Sequence, residues 1–222
     1  MPRYLDLSHA IAHGTVYYKG LPAPVICDFL SREASRAFYD EGTEFHIGKV
    51  ELVGNTGTYI DCPFHRYADG RDTAAMPLER FVDVPALVVR ATTDHGRRGR
   101  AIGAEWFAAL NVRGKAVLVH TGWDVHWQTD QYFEGHPYLT ADAATWLRDA
   151  GAVLVGIDAT NIDCTDGGAR PVHSILLREE ILIAEHLTGL DQLPSGPFSF
   201  SAVPPKLVGI GTFPVRAYAT LP

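Results

Sequence analysis

"GNTGTYIDCPFH", residues 54–65, is the stretch on which the reading of this chain turns. On an extended backbone successive side chains point to opposite faces, so Asn55, Gly57, Tyr59 and Asp61 share one face and aim at a common point. Pro63 then stiffens the chain, and His65 lies two residues beyond it. An Asp and a His held in this way serve a metal ion or act as a general acid–base pair. An ordinary strand-to-turn transition uses the same residue types, so the segment alone does not decide.

Around it, short β-branched runs read as strands: "IGKVELV" (47–53), "PALVVRA" (85–91), "KAVLVHT" (115–121) and "AVLVGID" (152–158). The last two are nearly continuous apolar runs, as expected of strands buried on both faces. "LTADAATWLRDAG" (139–151) predicts a helix, with Thr140 capping it, Asp142 complementing the dipole and Gly151 ending it. "GAEWFAALN" (103–111) is a shorter helix candidate, and "SREASRAFYDEG" (31–42) reads as a helix or an ordered loop. "LREEILIAEHL" (177–187) is ambiguous between helix and strand. The fold class expected is α/β or α+β, built on a sheet.

The 222 residues suit one domain spanning 1–222, and no repeat or low-complexity linker divides them. With 46% hydrophobic residues there is material for a substantial core. No apolar run reaches the roughly 18–20 residues of a membrane helix, and the first residues lack a signal peptide's apolar stretch. A soluble cytoplasmic protein is therefore expected. A net charge of −7, from 19 basic and 26 acidic residues, argues against nucleic acid as a partner. The basic cluster "HGRRGR" (95–100) reads as a solvated turn. Cys27, Cys62 and Cys164 are too few and too scattered for a disulfide framework or a zinc knuckle.

The second chemistry-bearing piece is "RPVHSILLREEILIAEHLTGLDQL" (170–193), in which His173 and Glu185 stand twelve residues apart. With "NTGTYIDCPFH", "YLDLSHAI" (4–11), "VLVHTGWD" (117–124), "VGID" (155–158) and "PPKLVGIGTFPVRAYA" (204–219), the chain resembles the cyclase family that includes bacterial kynurenine formamidase and isatin hydrolase. That family's signature is H-x-G-T-H-x-D-x-P-x-H, followed by a distant His and Glu. The resemblance implies a swivelling β/β/α domain, with a central mixed sheet flanked by helices, assembled as homodimers or homotetramers. It implies one or two divalent ions, here on Asp61, His173 and Glu185, with His65 in the proton-transfer position. Asn55 and Tyr59 replace the first two signature histidines; an amide oxygen and a neutral phenol are feeble ligands. A single zinc or manganese ion is the corresponding expectation, with no nucleotide cofactor.

Tyr18, Phe64, Arg66 and Trp123 are the candidate substrate contacts, suited to a flat cyclic or aryl-bearing molecule. An ion pair of Arg66 with Asp69 or Asp72 is the competing reading. Cys62 reads as a buried filler, and His186, next to Glu185 on a strand, as facing away. Asp158 and Asp163 read first as turn formers, with Asp158 kept as a supporting partner. The expected function is hydrolysis of an amide C–N bond or a lactone by a metal-activated water. The alternatives are a metal-independent cyclase, isomerase or lyase using His65, Tyr59, Asn55 and the carboxylates, and a binding protein without turnover. A chelator separates the first two, since only the hydrolase depends on the ion.

Overall fold

The computed structural model describes residues 2–92 and 99–222; residues 95–98 of the basic cluster lie outside them. The strands are β1 (Arg3–Asp6), β2 (Val25–Leu30), β3 (Ile47–Glu51), β4 (Tyr59–Asp61), β5 (Val84–Arg90), β6 (Ala101–Ile102), β7 (Ala116–His120), β8 (Tyr138–Leu139), β9 (Leu154–Ile157), β10 (Leu182–Glu185), β11 (Phe198–Ser201), β12 (Thr212–Pro214) and β13 (Tyr218–Leu221). The α-helices are α1 (Arg32–Ser35), α2 (Ala141–Asp149) and α3 (Pro171–Arg178). No helix among the described residues is long and apolar enough to cross a membrane.

Nine strands form one mixed sheet in the order β1-β13-β11-β5-β7-β9-β10-β4-β12. Its centre, β5-β7-β9-β10, is parallel, and the flanking pairs are antiparallel. This is the α/β fold with a central mixed sheet. The alternation along each strand divides the core in two. Val117, Val119, Val155, Ile157 and Ile183 face a layer that holds Leu147 of α2 and Val172, Leu176 and Leu177 of α3. Leu118, Leu154, Leu182, Ala184 and Ile60 face the opposite cluster, with Leu5, Phe81 and Leu187.

Thr140 caps α2 by accepting from the Ala143 N–H, and Gly151 follows at φ +84°, as the sequence suggests. The ambiguous 177–187 stretch is neither all helix nor all strand. Helix α3 ends at Arg178, Glu180 turns at φ +56°, and β10 begins at Leu182. "GAEWFAALN" folds only into a 3₁₀ turn, Ala104–Trp106, and 31–42 forms a four-residue helix followed by turns. The 47–53 run does not join the main sheet: β3 pairs with β2 in a separate, exposed hairpin.

Candidate active site

Strand register assembles the site. Glu185 of β10 lies directly opposite Tyr59 of β4, and Asp61 lies opposite Thr212 of β12. Ile60 faces the far cluster, so its neighbours Tyr59 and Asp61 face the helical side, where α3 crosses. The shared face holds over Tyr59 and Asp61 but does not extend back along a strand to Asn55. Residues 54–58 bend, with Gly57 at φ +63° and Ile11 Cγ1 within 2.7 Å of where a Cβ would stand. Asn55 reaches the site from that bend, and its amide donates to the Tyr59 phenol oxygen.

Both cross-strand pairs are hydrogen-bonded. The Tyr59 hydroxyl donates to Glu185 Oε2 at 2.5 Å, and the Thr212 hydroxyl donates to Asp61 Oδ1. The Ile162 N–H donates to Glu185 Oε1 at 2.6 Å. Pro171 starts α3, and His173 follows within its first turn. There Asp163 accepts from the Val172 N–H at 2.8 Å and the His173 N–H at 3.0 Å, and its Oδ2 lies 2.7 Å from His173 Nδ1. One carboxylate thus caps the helix and fixes the ring. With Nδ1–H held by Asp163, the neutral tautomer presents Nε2 outward. That atom stands 3.6 Å from Asp61 Oδ2 and 3.7 Å from Glu185 Oε1.

His65 ends a 3₁₀ turn, Pro63–His65, and its Nδ1 is 3.9 Å from Asp61 Oδ1. The turn rests on Gly211, whose carbonyl accepts from the Cys62 N–H at 2.7 Å. A Cβ on Gly211 would lie 2.2 Å from His65 N and 2.6 Å from its Cα. Gly211→Ala must therefore displace the turn that aims the imidazole. Turnover is expected to fall on the order of a hundredfold with metal content unchanged, which steady-state kinetics with elemental analysis would check.

A cavity of about 440 Å³ opens over these groups, walled among others by Tyr18, Asn55, Tyr59, His65, Arg66 and Arg170. Burial, then the Glu185 and Asp61 charges, push the Tyr59 phenol well above its usual value, so it remains a donor. Burial opposes the charge on Asp61, but His65, His173 and Thr212 outweigh it and hold the carboxyl below its usual range. Burial, with the Asp61 charge, pushes Glu185 up. Burial also disfavours a charged His173, yet Asp163, Asp61 and Glu185 together raise it to about 10.

The arrangement fits one divalent cation. Asp61 Oδ2 is buried without a hydrogen-bond partner, facing the Nε2 that Asp163 leaves presented. Ligand atoms of Asp61, His65 and His173 also lie within 4.8 Å of one another, so His65 stands within ligand reach rather than apart from the metal candidates. Asn55 and Tyr59 add no anionic donor, and Tyr59 is committed to Glu185. Since the His173 proton must leave before Nε2 ligates, and is held to about 10, ion uptake at pH 7–8 is expected to release at least about one proton. Apparent affinity then rises with pH, roughly tenfold per unit for one proton. Calorimetry in two buffers of different ionisation enthalpy checks this; equal heats would contradict it.

The other sequence candidates divide. Tyr18 lines the cavity and hydrogen-bonds Arg170 and Asn161. Arg66 lines it too, with no ion pair to Asp69 or Asp72: Asp69 pairs with Arg178, and Asp72 accepts from the Ala74, Ala75 and Gly209 N–H groups. Phe64 and Trp123 are not in that wall. Phe64 projects outward from the 3₁₀ turn, and Trp123 packs in the helical-side core, its indole N–H donating to the Tyr132 carbonyl. Cys62 is buried and pushed up to about 12, in keeping with an inert filler. His186 turns at φ +57° and is buried against the Thr160 carbonyl. Asp158 is buried beneath Thr121 and Gly122, where it orders the end of β7.

Comparison with known proteins places this arrangement in context. The Cyclase family model matches residues 5–164. A kynurenine formamidase from Salinibacter ruber is 32% identical over 179 residues, 80% of this chain and 81% of that protein. One from Bacillus cereus is 28% identical with the same coverage. Among solved structures, an isatin hydrolase bound to the product analogue thioisatinate superposes with a TM-score of 0.82 at 21% identity, covering 100% of this chain and 93% of that one. A potential metal-dependent hydrolase with cyclase activity gives a TM-score of 0.73 at 25% identity, covering 99% and 98%.

Proposed function

The chain belongs to the Cyclase family, and from that premise we propose that it is a hydrolase opening an amide C–N bond or a lactone in a small cyclic or aryl-bearing substrate, with one zinc or manganese ion on Asp61, His173 and Glu185. The observation that carries this reading is Asp61 Oδ2, buried without a hydrogen bond and set 3.6 Å from an imidazole nitrogen that Asp163 orients. A divalent ion there supplies Lewis-acid polarisation of a carbonyl and lowers the pKa of a water.

This chain's own residues do the rest. His65, whose side chain is 34% exposed on the cavity side, takes a proton from the attacking water and returns one to the leaving amine or alcohol. His65 Nδ1 lies 3.9 Å from Asp61 Oδ1, which sets the ring beside the proposed metal site. Tyr59 fixes Glu185 through its hydroxyl, and Asn55 orients that phenol while its amide borders the substrate space. Tyr18, and Asn55 from the bend at 54–58, wall the space in which the substrate would sit.

One observation favours a second reading. His173, charged up to about 10, already compensates the two buried carboxylates, an arrangement that serves metal-independent acid–base chemistry with Tyr59 and His65. Assays on an aryl formamide and an aryl lactone, before and after chelation, separate the two. Loss on chelation and recovery with zinc or manganese support the hydrolase; full activity without an ion supports the second reading. His65→Ala is expected to keep the ion and lose turnover, whereas loss of the ion would make His65 a ligand beside Asp61 and His173.

The active form is further proposed to be a homodimer or homotetramer. The β2–β3 hairpin and the turns it carries expose Phe29, Phe38, Phe45 and Val50, and a lone two-stranded hairpin is marginal in water. Light scattering should find at least two chains per particle; the mass of a single chain would contradict this.

A further inference from the structure

Two arginines stand in the cavity wall and form no ion pair with a carboxylate of the described residues. Arg36, Arg71, Arg100, Arg148, Arg178 and Arg216 each form an ion pair with an Asp or Glu. Among the described residues, Arg66 and Arg170 form none, and both line the cavity above Asp61 and His173. Arg3, Arg32, Arg80, Arg90 and Arg113 also form no ion pair among the described residues, but none of them lines that cavity; in a chain of net charge −7, Arg66 and Arg170 are the unneutralised cations placed at the site.

Both guanidinium groups are held in position. Arg66 Nε donates to Ser174 Oγ at 3.2 Å, and its guanidinium lies 5.3 Å from the centroid of the Tyr67 ring. Ser174 Oγ donates in turn to the Arg170 carbonyl at 2.8 Å, which ties the two residues to the first turn of α3. Arg170 Nη1 donates to the Cys164, Gly167 and Ala169 carbonyls at 2.8–3.1 Å, so one nitrogen is spent holding the loop. The same side chain also hydrogen-bonds the Tyr18 phenol in the cavity wall. Arg178, by contrast, also lies over Tyr67, at 4.8 Å, but is neutralised by Asp69.

A fixed guanidinium without a protein anion matches a carboxylate more closely than any neutral group, because its forked N–H donors meet two oxygens at once. The cavity is thus electrically divided, with cation-holding carboxylates at its floor and two fixed cations in its wall. We propose that the substrate carries a carboxylate away from the scissile bond, and that Arg66 and Arg170 select for it. This rests on the hydrolase reading above, and it makes both arginines specificity-determining residues.

The test compares formanilide with 2-, 3- and 4-formamidobenzoate, which share the reacting aryl formamide and differ in the carboxylate. The best of the three is expected to exceed formanilide in kcat/KM by roughly tenfold to a hundredfold, mainly through KM, as charged hydrogen bonds of ordinary strength would give. Arg66→Gln and Arg170→Gln should each collapse that ratio towards one, whatever they do to absolute rates, and the lysine variants should restore part of it. Equal kcat/KM for formanilide and all three acids overturns the proposal and leaves the hydrolase intact. Calorimetry with benzoate and benzamide supplies the arm without turnover. Tighter benzoate binding that is lost in Arg170→Gln, in a protein that hydrolyses none of the four, keeps the carboxylate site and removes the hydrolase. Equal binding of benzoate and benzamide overturns the site.

Discussion

His173→Ala is expected to lower kcat/KM by about a thousandfold or more, about 4 kcal/mol, and to strip the bound ion. Its Nε2 is the nitrogen that faces both Asp61 Oδ2 and Glu185 Oε1, so no neighbouring side chain replaces it at that point. The substitution also leaves a signature in stability. In the ion-free protein the charged imidazole compensates two buried carboxylates; removing one partner of such a cluster costs about 3–5 kcal/mol. Glu185 already sits above its ordinary value, and a raised carboxyl favours the folded state at low pH and loses that advantage as pH rises towards its folded value. The stability deficit of the variant, measured by urea unfolding of ion-free protein, should therefore be larger at pH 7.5 than at about pH 5. Unchanged turnover, or a deficit independent of pH, would contradict the role assigned to this ring.

Asp163→Asn is the second large effect. The carboxylate does three things at once: it caps two N–H groups at the start of α3 and holds the His173 ring by Nδ1. An amide keeps one acceptor oxygen but turns an NH₂ towards a backbone N–H or the ring N–H, so one of those contacts becomes a clash of donors. The remaining oxygen is also uncharged, which lowers the basicity of Nε2. Ion affinity is expected to fall roughly tenfold to a hundredfold. Titrating zinc or manganese into the chelated variant should show the activation curve shifted to higher concentration, with much of the turnover recovered at saturation. A purely structural role would instead lower the plateau and leave the midpoint in place.

Asp163 also shows where the sequence was legible and where it was not. Asp61, His173 and Glu185 could be picked out because their residue types and order matched a family pattern, and the structure brings all three around one nitrogen. Asp163 stood in a glycine-rich, Asp-rich loop, where a turn former is the commoner explanation. Its real partner lies ten residues on, and only the start of α3 at Pro171 brings them together. Thr212 was invisible for a similar reason: its hydroxyl reaches Asp61 through cross-strand register across 151 positions of sequence.

The apolar runs at 115–121 and 152–158 gave the buried centre of the sheet, because continuous β-branched segments suit strands covered on both faces. The 47–53 run is also a strand, as read, but it lies in an exposed hairpin outside that sheet. Strand propensity reports a fit to a pleated surface, not which surface that will be. Trp123 was a candidate as an aromatic suited to a flat substrate, yet the chain turns through Gly122 at φ +75° and delivers the indole to the core. Arg170 drew no attention as a helix-flanking residue, and Arg66 left two readings open. Only their place in the cavity wall of the folded chain, without an ion pair, separates them from the other arginines.

The most direct measurement is the ion content of untagged protein, as purified and after dialysis against zinc and against manganese, alongside Asp61→Asn. About one ion per chain in the wild type, lost in the variant together with aryl formamide hydrolysis, is the expected result. No ion under any of these conditions, or equal content in Asp61→Asn, would contradict a metal centre built on Asp61 and His173.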